Sequence, residues 1–381
     1  MNLERWSWEQ AAGRRLGRGQ LLAPARAGAA VDVVRSLGGV QAQVPSAAEL
    51  AVGVRCEGLT RSGLRALVDE SRLLTRTYAM RGTAHLLPTA DLPLYLAAMR
   101  QLRGGDDGWF AGFGLTREQA ARLFGGIAAI LNGRCLTRPE LAEALREHVG
   151  DRVFERFDPT LGELTVAAAW AGVLAYGPAR GSTSTFRRPD QWGGRWHEVD
   201  GETALREVAG RYFAGFGPAT AGDLARWLGV SAAPANKLVG SLGRRLRPVT
   251  VEGDAAWLPA GDPGPDGDAA PSVVLLPQYD PYVLGPGPAG RVLPAAARDL
   301  VRRRKRGRYE GAAGVPVLLV DGVVAGVWER RQRQRRVEVA VEPVRRLTAG
   351  QREALEAAAE RVARFDEAEP VLTVLPAGGD A

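Results

Sequence analysis

Groups of short helices, three times followed by brief β-rich runs, and then a strand-dominated C-terminal stretch, predict an α+β chain. The order expected is three tandem winged-helix (helix-turn-helix) domains followed by a C-terminal β-barrel-like domain. Boundaries are expected at 1–100, 101–200, 201–262 and 270–381. Two observations carry the prediction. Helices precede a strand or ribbon three times without a fixed sequence period, so architecture repeats rather than sequence. At 259–271, PAGDPGPDGDAAP, the composition turns to that of a linker, and the pattern beyond it is strands.

In the first domain, residues 9–18 and 24–37 are amphipathic and predict helices. Ser46-Ala-Ala-Glu49 has capping-box spacing and starts a third helix; residues 60–70 form a fourth with Thr60 as N-cap. Residues 73–87 then hold two β-rich runs parted near 80–82. The second domain is expected to have a helix over 116–131, a helix capped by Thr137-Arg-Pro-Glu140, a helix over 160–175 and a strand or wing over 182–188. The third has helices over 202–215, 220–228 and 233–243 with a turn at Gly229, then strands near 246–258. Residues 220–242 are the clearest helix-turn-helix of the three. Beyond the linker, strands are expected at 273–276, 315–321, 323–328, 336–341 and 370–375, with an amphipathic helix over 349–365. Asp321-Gly322 between apolar runs is a hairpin turn signal.

At 381 residues, 45% hydrophobic and 24% charged, the chain has the composition of a multidomain soluble protein. No window approaches a membrane span, and the N-terminus lacks the apolar run of a signal peptide, so a cytoplasmic location is expected. Two cysteines and three histidines leave no metal-ligand cluster and no disulfide framework, and no Walker or strand-framed GxGxxG pattern supports a nucleotide; no cofactor is expected. A net charge of +7 and a pI near 9.9 favour a polyanionic partner. Only Lys237 and Lys305 are lysines, which removes most candidates for Schiff-base chemistry.

Within 37–46, LGGVQAQVPS, Gln41 and Gln43 stand between a double glycine and a proline. Spacing of i, i+2 puts two side chains on one face only where the backbone is extended, and Gly38-Gly39 and Pro45 argue against a continuous helix. The pair can therefore aim two amides at one spot. Two arginine-rich stretches, 302–308 and 329–336, offer phosphate contacts or a solvated basic face. His85 follows Arg81-Gly-Thr-Ala with no Ser or Cys obviously paired to it, so a structural or ligand-contacting role is favoured over a general base. Asp280, in Gln278-Tyr-Asp280, is read as an ion-pair member or a ligand-facing carboxylate.

The segments LGGVQAQVPSAAELAVGVR, LLTRTYAMRGTAHLLPTADL, LLPQYDPYVLG and VLLVDGVVAGVW, in this order, resemble the winged-helix DNA glycosylases (AlkZ/YcaQ-like) over about residues 9–375. Gln41-Ala42-Gln43 matches the Gln-x-Gln form of that family's catalytic motif, nearer the AlkZ-like branch. The resemblance implies a monofunctional glycosylase acting on N7-alkylguanine in double-stranded DNA, bulky adducts and interstrand crosslinks included, in antibiotic self-resistance or alkylation repair. It makes Gln41 and Gln43 catalytic. Arg81, Thr83 and His85 become candidates for lesion or DNA contact, and Arg330, Arg331, Arg333, Arg335 and Arg336 candidates on the C-terminal hairpin. The expected partner is duplex DNA carrying an alkylated purine, bound by a monomer. The rival from another class is a non-enzymatic winged-helix regulator, which would bind an operator and release no base.

Overall fold

Ser7 begins the first helix with a reciprocal capping box: its hydroxyl accepts from the Gln10 amide, and the Gln10 side chain accepts from the Ser7 N–H. The computed structural model describes residues 3–105, 108–149, 162–193, 196–264, 271–285, 289–304 and 314–377. They pack into two compact units, one from residues 1–64 and 210–381 and the other from 65–209. Among the described residues, no helix is long and apolar enough to cross a membrane.

The N-terminal part of the first unit runs β1 (Glu4–Trp6), α1 (Trp8–Arg18), β2 (Ala25–Arg26), α2 (Ala30–Ser36), β3 (Val40–Gln41), α3 (Pro45–Gly53), β4 (Cys56–Glu57) and α4 (Arg61–Asp69). The single helix expected over 24–37 is instead a short strand, a 3₁₀ turn and α2. Ala25 donates to the Arg55 carbonyl (2.9 Å) and β2 pairs in parallel with β4, so long-range pairing and the weak helix former Gly28 delay the helix to Ala30. The capping box expected at Ser46 does not form either. Pro45 takes the first helical position, where its missing N–H costs nothing, and Val44 precedes it with no side-chain cap. Thr60 does cap, accepting from the Gly63 amide at 3.1 Å.

The second unit holds the hairpin β5 (Leu74–Tyr78) and β6 (Ala84–Pro88), in antiparallel register Thr77↔His85. Next come α5 (Leu92–Leu102), α6 (Arg117–Ile130), β7 (Leu136–Thr137), α7 (Arg138–Val149), α8 (Gly162–Trp170), β8 (Ala175–Arg180) and β9 (Thr183–Arg187), the last two and β7 forming a sheet in the order β7-β9-β8. No sequence signal announces helix α5: Tyr95 through Met99 are all buried, so no amphipathic stripe marks it. The helix expected over 160–175 stops at Trp170, because Gly172 turns left-handed (φ +78°) and the chain re-enters as β8; residues 160–161 lie outside the described set. Leu123, Ile127, Leu141 and Leu145 fill the core between α6 and α7, and Trp109 stacks on Phe124 at 5.5 Å.

After α9 (Gly201–Phe216), the first unit resumes with α10 (Ala221–Leu228) and α11 (Ala232–Leu242). They are separated by left-handed Gly229 (φ +74°), with Thr220 and Asp223 closing a capping box on α10. The hairpin β10 (Leu246–Val251) and β11 (Asp254–Pro259) follows, and β1 adds to it in parallel. Trp6, Val249, Ala256 and Leu258 form that sheet's core. Beyond it lie β12 (Val273–Leu276), α12 (Pro281–Leu284), α13 (Ala289–Val292) and α14 (Ala295–Arg304). Then come β13 (Val317–Val320), β14 (Val323–Arg333), β15 (Arg336–Pro343), α15 (Ala349–Phe365) and β16 (Glu369–Val374).

The expected barrel-like end is a five-stranded sheet in the order β12-β13-β14-β15-β16, curled as a half-barrel, with α15 packed on β12 and β16. Asp321 (φ +50°) and Gly322 (φ +78°) make the anticipated two-residue turn. Strand β14 runs five residues past the expected end at 328, because β15 pairs with it as far as Arg333↔Arg336. The basic run at 302–308 begins as the last turn of α14; residues 305–308, Lys305 among them, lie outside the described set.

Candidate functional site

The glutamine motif is held by a helix stop followed by a helix start. Helix α2 ends in a Schellman closure: the Gly38 N–H donates to the Arg35 carbonyl and the Gly39 N–H to the Val34 carbonyl, both at 3.0 Å. Both glycines are left-handed, at φ +65° and +94°. A β-carbon on Gly38 would lie 2.9 Å from the Trp227 ring of α10, so glycine is required there twice over. Gly215 of α9 likewise packs directly on the Ser36 carbonyl. Val40 and Gln41 then extend as β3, and the chain bends through Gln43 into Pro45 of α3.

The two amides sit in different surroundings. Gln41 is 4% exposed, Ala42 is buried, and Gln43 is exposed. A buried glutamine needs partners for its amide, and an exposed one two residues on is accessible to a ligand. Neither lies on a helix.

Helix α3 is locked behind the motif. Its buried residues include Ala47, Ala48, Leu50, Ala51 and Val52, and Gly53 packs flush on the Phe365 ring of α15. Just after it, Arg55 is fully buried and forms a bidentate pair with Asp280, Nη1 and Nη2 each donating at 2.7 Å, while Nη1 also donates to the Ala51 carbonyl. Asp280 accepts from the Tyr282 amide as well (2.9 Å). Asp280 is therefore an ion-pair member, the first of the two roles the sequence allowed. A second network joins Glu49 of α3, Arg61 of α4, Asp366 and Arg330 of β14: Arg61 and Arg330 each donate to Asp366 at 2.5 Å, and Arg61 also pairs with Glu49. The Asp366 side chain is sealed from solvent.

Arg330 is thus engaged within the protein. The exposed end of the same hairpin carries Arg331, Arg333, Arg335 and Arg336 around a turn at Gln334 (φ +50°). Arg331 and Arg333 approach Glu329 and Glu338 at only 3.6 and 3.9 Å, and Arg336 approaches Glu369 at 3.9 Å, contacts that solvent weakens. A cleft of about 470 Å³ in the C-terminal sheet is lined by Arg304, Trp328, Glu329, Glu338 and Glu342, and Gln41 and Gln43 are not in its walls.

Arg81, Thr83 and His85 belong to the second unit, whereas Gln41 and Gln43 belong to the first. Arg81 is left-handed (φ +59°) at the tip of the β5–β6 hairpin, and the Thr83 hydroxyl donates to the Met80 carbonyl at 3.1 Å. His85 is 2% exposed, and its Nδ1–H donates to the Thr83 carbonyl at 2.8 Å, leaving Nε2 as an acceptor. Burial, reinforced by the nearby Arg81 charge, pushes its pKa down to about 3 from the ordinary 6.5. At neutral pH this imidazole is neither a proton donor nor an effective base. The folded state keeps the ring neutral while the unfolded chain protonates it below about 6.5, so stability falls as pH drops from about 6.5 toward 3. His85→Asn keeps a donor for Thr83 without the ionisation. Denaturation at pH 7 and pH 5 should show a smaller acid loss in that variant than in wild type.

Arg55, Arg61 and Asp366 hold the motif's supporting helix, and no local signal marks them. Arg55 lies 225 residues from Asp280, and Arg61 lies 305 from Asp366.

A basic α+β chain of this arrangement is matched by proteins of one class, the DNA glycosylases. The chain belongs to the AlkZ-like DNA glycosylase family, whose pattern matches residues 34–365. It is 36% identical over 335 residues to an interstrand DNA cross-link repair glycosylase of Streptomyces sahachiroi, covering 85% of this chain and 88% of the relative. The solved structure of Streptomyces sahachiroi DNA glycosylase AlkZ superposes with a TM-score of 0.80 at 32% identity, covering 97% of this chain and 100% of that one.

Proposed function

We propose that the protein is a monofunctional DNA glycosylase that hydrolyses the N-glycosidic bond of N7-alkylguanine in duplex DNA, bulky adducts and interstrand crosslinks included, in antibiotic self-resistance or alkylation repair. The observation that carries it is the setting of Gln41-Ala42-Gln43: a rigid bend of two left-handed glycines before it, a buried helix after it, and one amide open to solvent. The name of the Streptomyces sahachiroi relative supports the crosslink as substrate. Three groups of helices, each leading to a hairpin (β5–β6, β8–β9, β10–β11), support the tandem winged-helix reading, with domains at 1–100, 101–200 and 201–262 ahead of the C-terminal sheet.

Alkylation at N7 leaves guanine cationic. When the C1′–N9 bond breaks, its electron pair neutralises the base, so the leaving group needs no protonation by a strong acid. Water adds to C1′ and gives a proton to solvent. The Gln41 and Gln43 amide oxygens accept hydrogen bonds from that water and turn dipoles toward the sugar's developing positive charge. An amide cannot act as a base with a pKa near neutrality, and it does not need to. Arg331, Arg333, Arg335 and Arg336 contact the DNA backbone or the lesion, while Arg330 anchors their hairpin through Asp366. The enzyme works as a cytoplasmic monomer without a cofactor. Lys237 is exposed on α11, part of the helix-turn-helix, and serves no lyase step.

Incubation with duplex DNA carrying N7-methylguanine should release the free base and leave an intact abasic site. Borohydride added during turnover should trap no protein–DNA adduct. A trapped adduct at Lys237 or Lys305 would replace water attack with a Schiff-base mechanism.

A further inference from the structure

In the second unit, β5 and β8 bring an arginine onto a tyrosine face in an unusual state. The Arg76 guanidinium lies 3.8 Å from the centre of the Tyr176 ring, half-buried, with Nε sealed from solvent and without a hydrogen-bond partner. Among the described residues Arg76 makes no ion pair. Beside it the Tyr176 hydroxyl donates to the Tyr78 hydroxyl at 2.7 Å, and Tyr78 in turn accepts from Arg138 Nη2 at 3.4 Å. Arg138 packs over the Phe186 ring at 5.3 Å. Both guanidiniums act on the Tyr176 hydroxyl.

A guanidinium carries five donors, and sealing one of them, the Arg76 Nε, from water without a partner is costly. Stacking on a tyrosine face offsets part of that cost and satisfies no donor. A guanidinium over a ring can still offer its two Nη groups to a pair of phosphate oxygens. We propose that Arg76 and Arg138, on either side of the Tyr176–Tyr78 hydroxyl pair, form a phosphate site on the second unit that takes one backbone phosphate of duplex DNA. The site rests on the reading of the chain as a DNA-acting enzyme and adds a contact far in sequence from the C-terminal hairpin.

The test is binding of undamaged duplex DNA across a salt series, which requires no excision. Arg76→Gln should weaken binding about tenfold at low salt and reduce the slope of log K against log salt by about one, the loss of one phosphate. Its thermal midpoint should stay at or above that of wild type, because an unpaired half-buried charge is removed. Arg76→Lys should keep most of the slope with part of the affinity. If Arg76→Gln keeps the wild-type affinity and slope, with or without a lower midpoint, Arg76 is a packing element and the site is overturned; failure of the wild type to bind duplex overturns it too. A protein with an Arg76-dependent slope that releases no base would sink the glycosylase mechanism and leave this site standing.

Discussion

Replacing Gln41 and Gln43 together with alanine is expected to slow base release by on the order of 10²–10³-fold, while affinity for duplex DNA stays within about twofold. The magnitude is that of removing preorganised dipoles aimed at a developing charge. The separation of rate from binding follows from their placement. Gln41 is almost wholly buried at the end of β3, and the exposed arginines that can hold the backbone lie elsewhere, on the β14–β15 hairpin. Single variants should differ: Gln43→Ala removes an exposed side chain and tests chemistry cleanly, whereas Gln41→Ala also opens a small cavity behind the motif. Single-turnover excision with N7-methylguanine DNA, set beside a binding titration, checks both. A double variant as active as wild type would remove the glutamines from the mechanism.

Asp280→Ala is expected to destabilise the first unit by about 3–5 kcal/mol, because it leaves the fully buried Arg55 charge unpaired. The bidentate pair ties the end of α3 to the segment after β12, and Asp280 also receives the Tyr282 amide, so the loss spreads to both sides. Denaturant unfolding should show the first transition at markedly lower concentration. Arg55→Met with Asp280→Leu should recover much of the loss, since replacing both ions with apolar groups removes the uncompensated charge. A midpoint within experimental scatter of wild type for Asp280→Ala would mean the pair is solvated in solution.

Much of the architecture is legible where its cause is local. Thr60, Thr137 and Thr220 cap the helices their sequences announce, Asp321-Gly322 turns, and every strand expected beyond the linker is present. Gly38-Gly39 reads as a bend for the same reason: left-handed backbone favours glycine. The failures come from long-range competition. The helix expected over 24–37 loses its start to pairing with β4, and α5 shows no stripe because its middle is buried all round. At the site, the two glutamines and their flanking breakers are visible from spacing alone. That one amide is buried and the other open is not, nor are the Arg55–Asp280 and Arg61–Asp366 pairs, whose partners meet only after the chain has folded.

The central claim is that neutral amides suffice because the substrate base is already a cation. The direct measurement is excision from one duplex carrying, at the same position, either N7-methylguanine or the uncharged base hypoxanthine, whose departure calls for protonation. Release of N7-methylguanine with hypoxanthine left in place, at the same pH and enzyme concentration, is the expected outcome. Comparable release of both bases, or of hypoxanthine alone, would require an acid that Gln41 and Gln43 cannot provide and would contradict the mechanism.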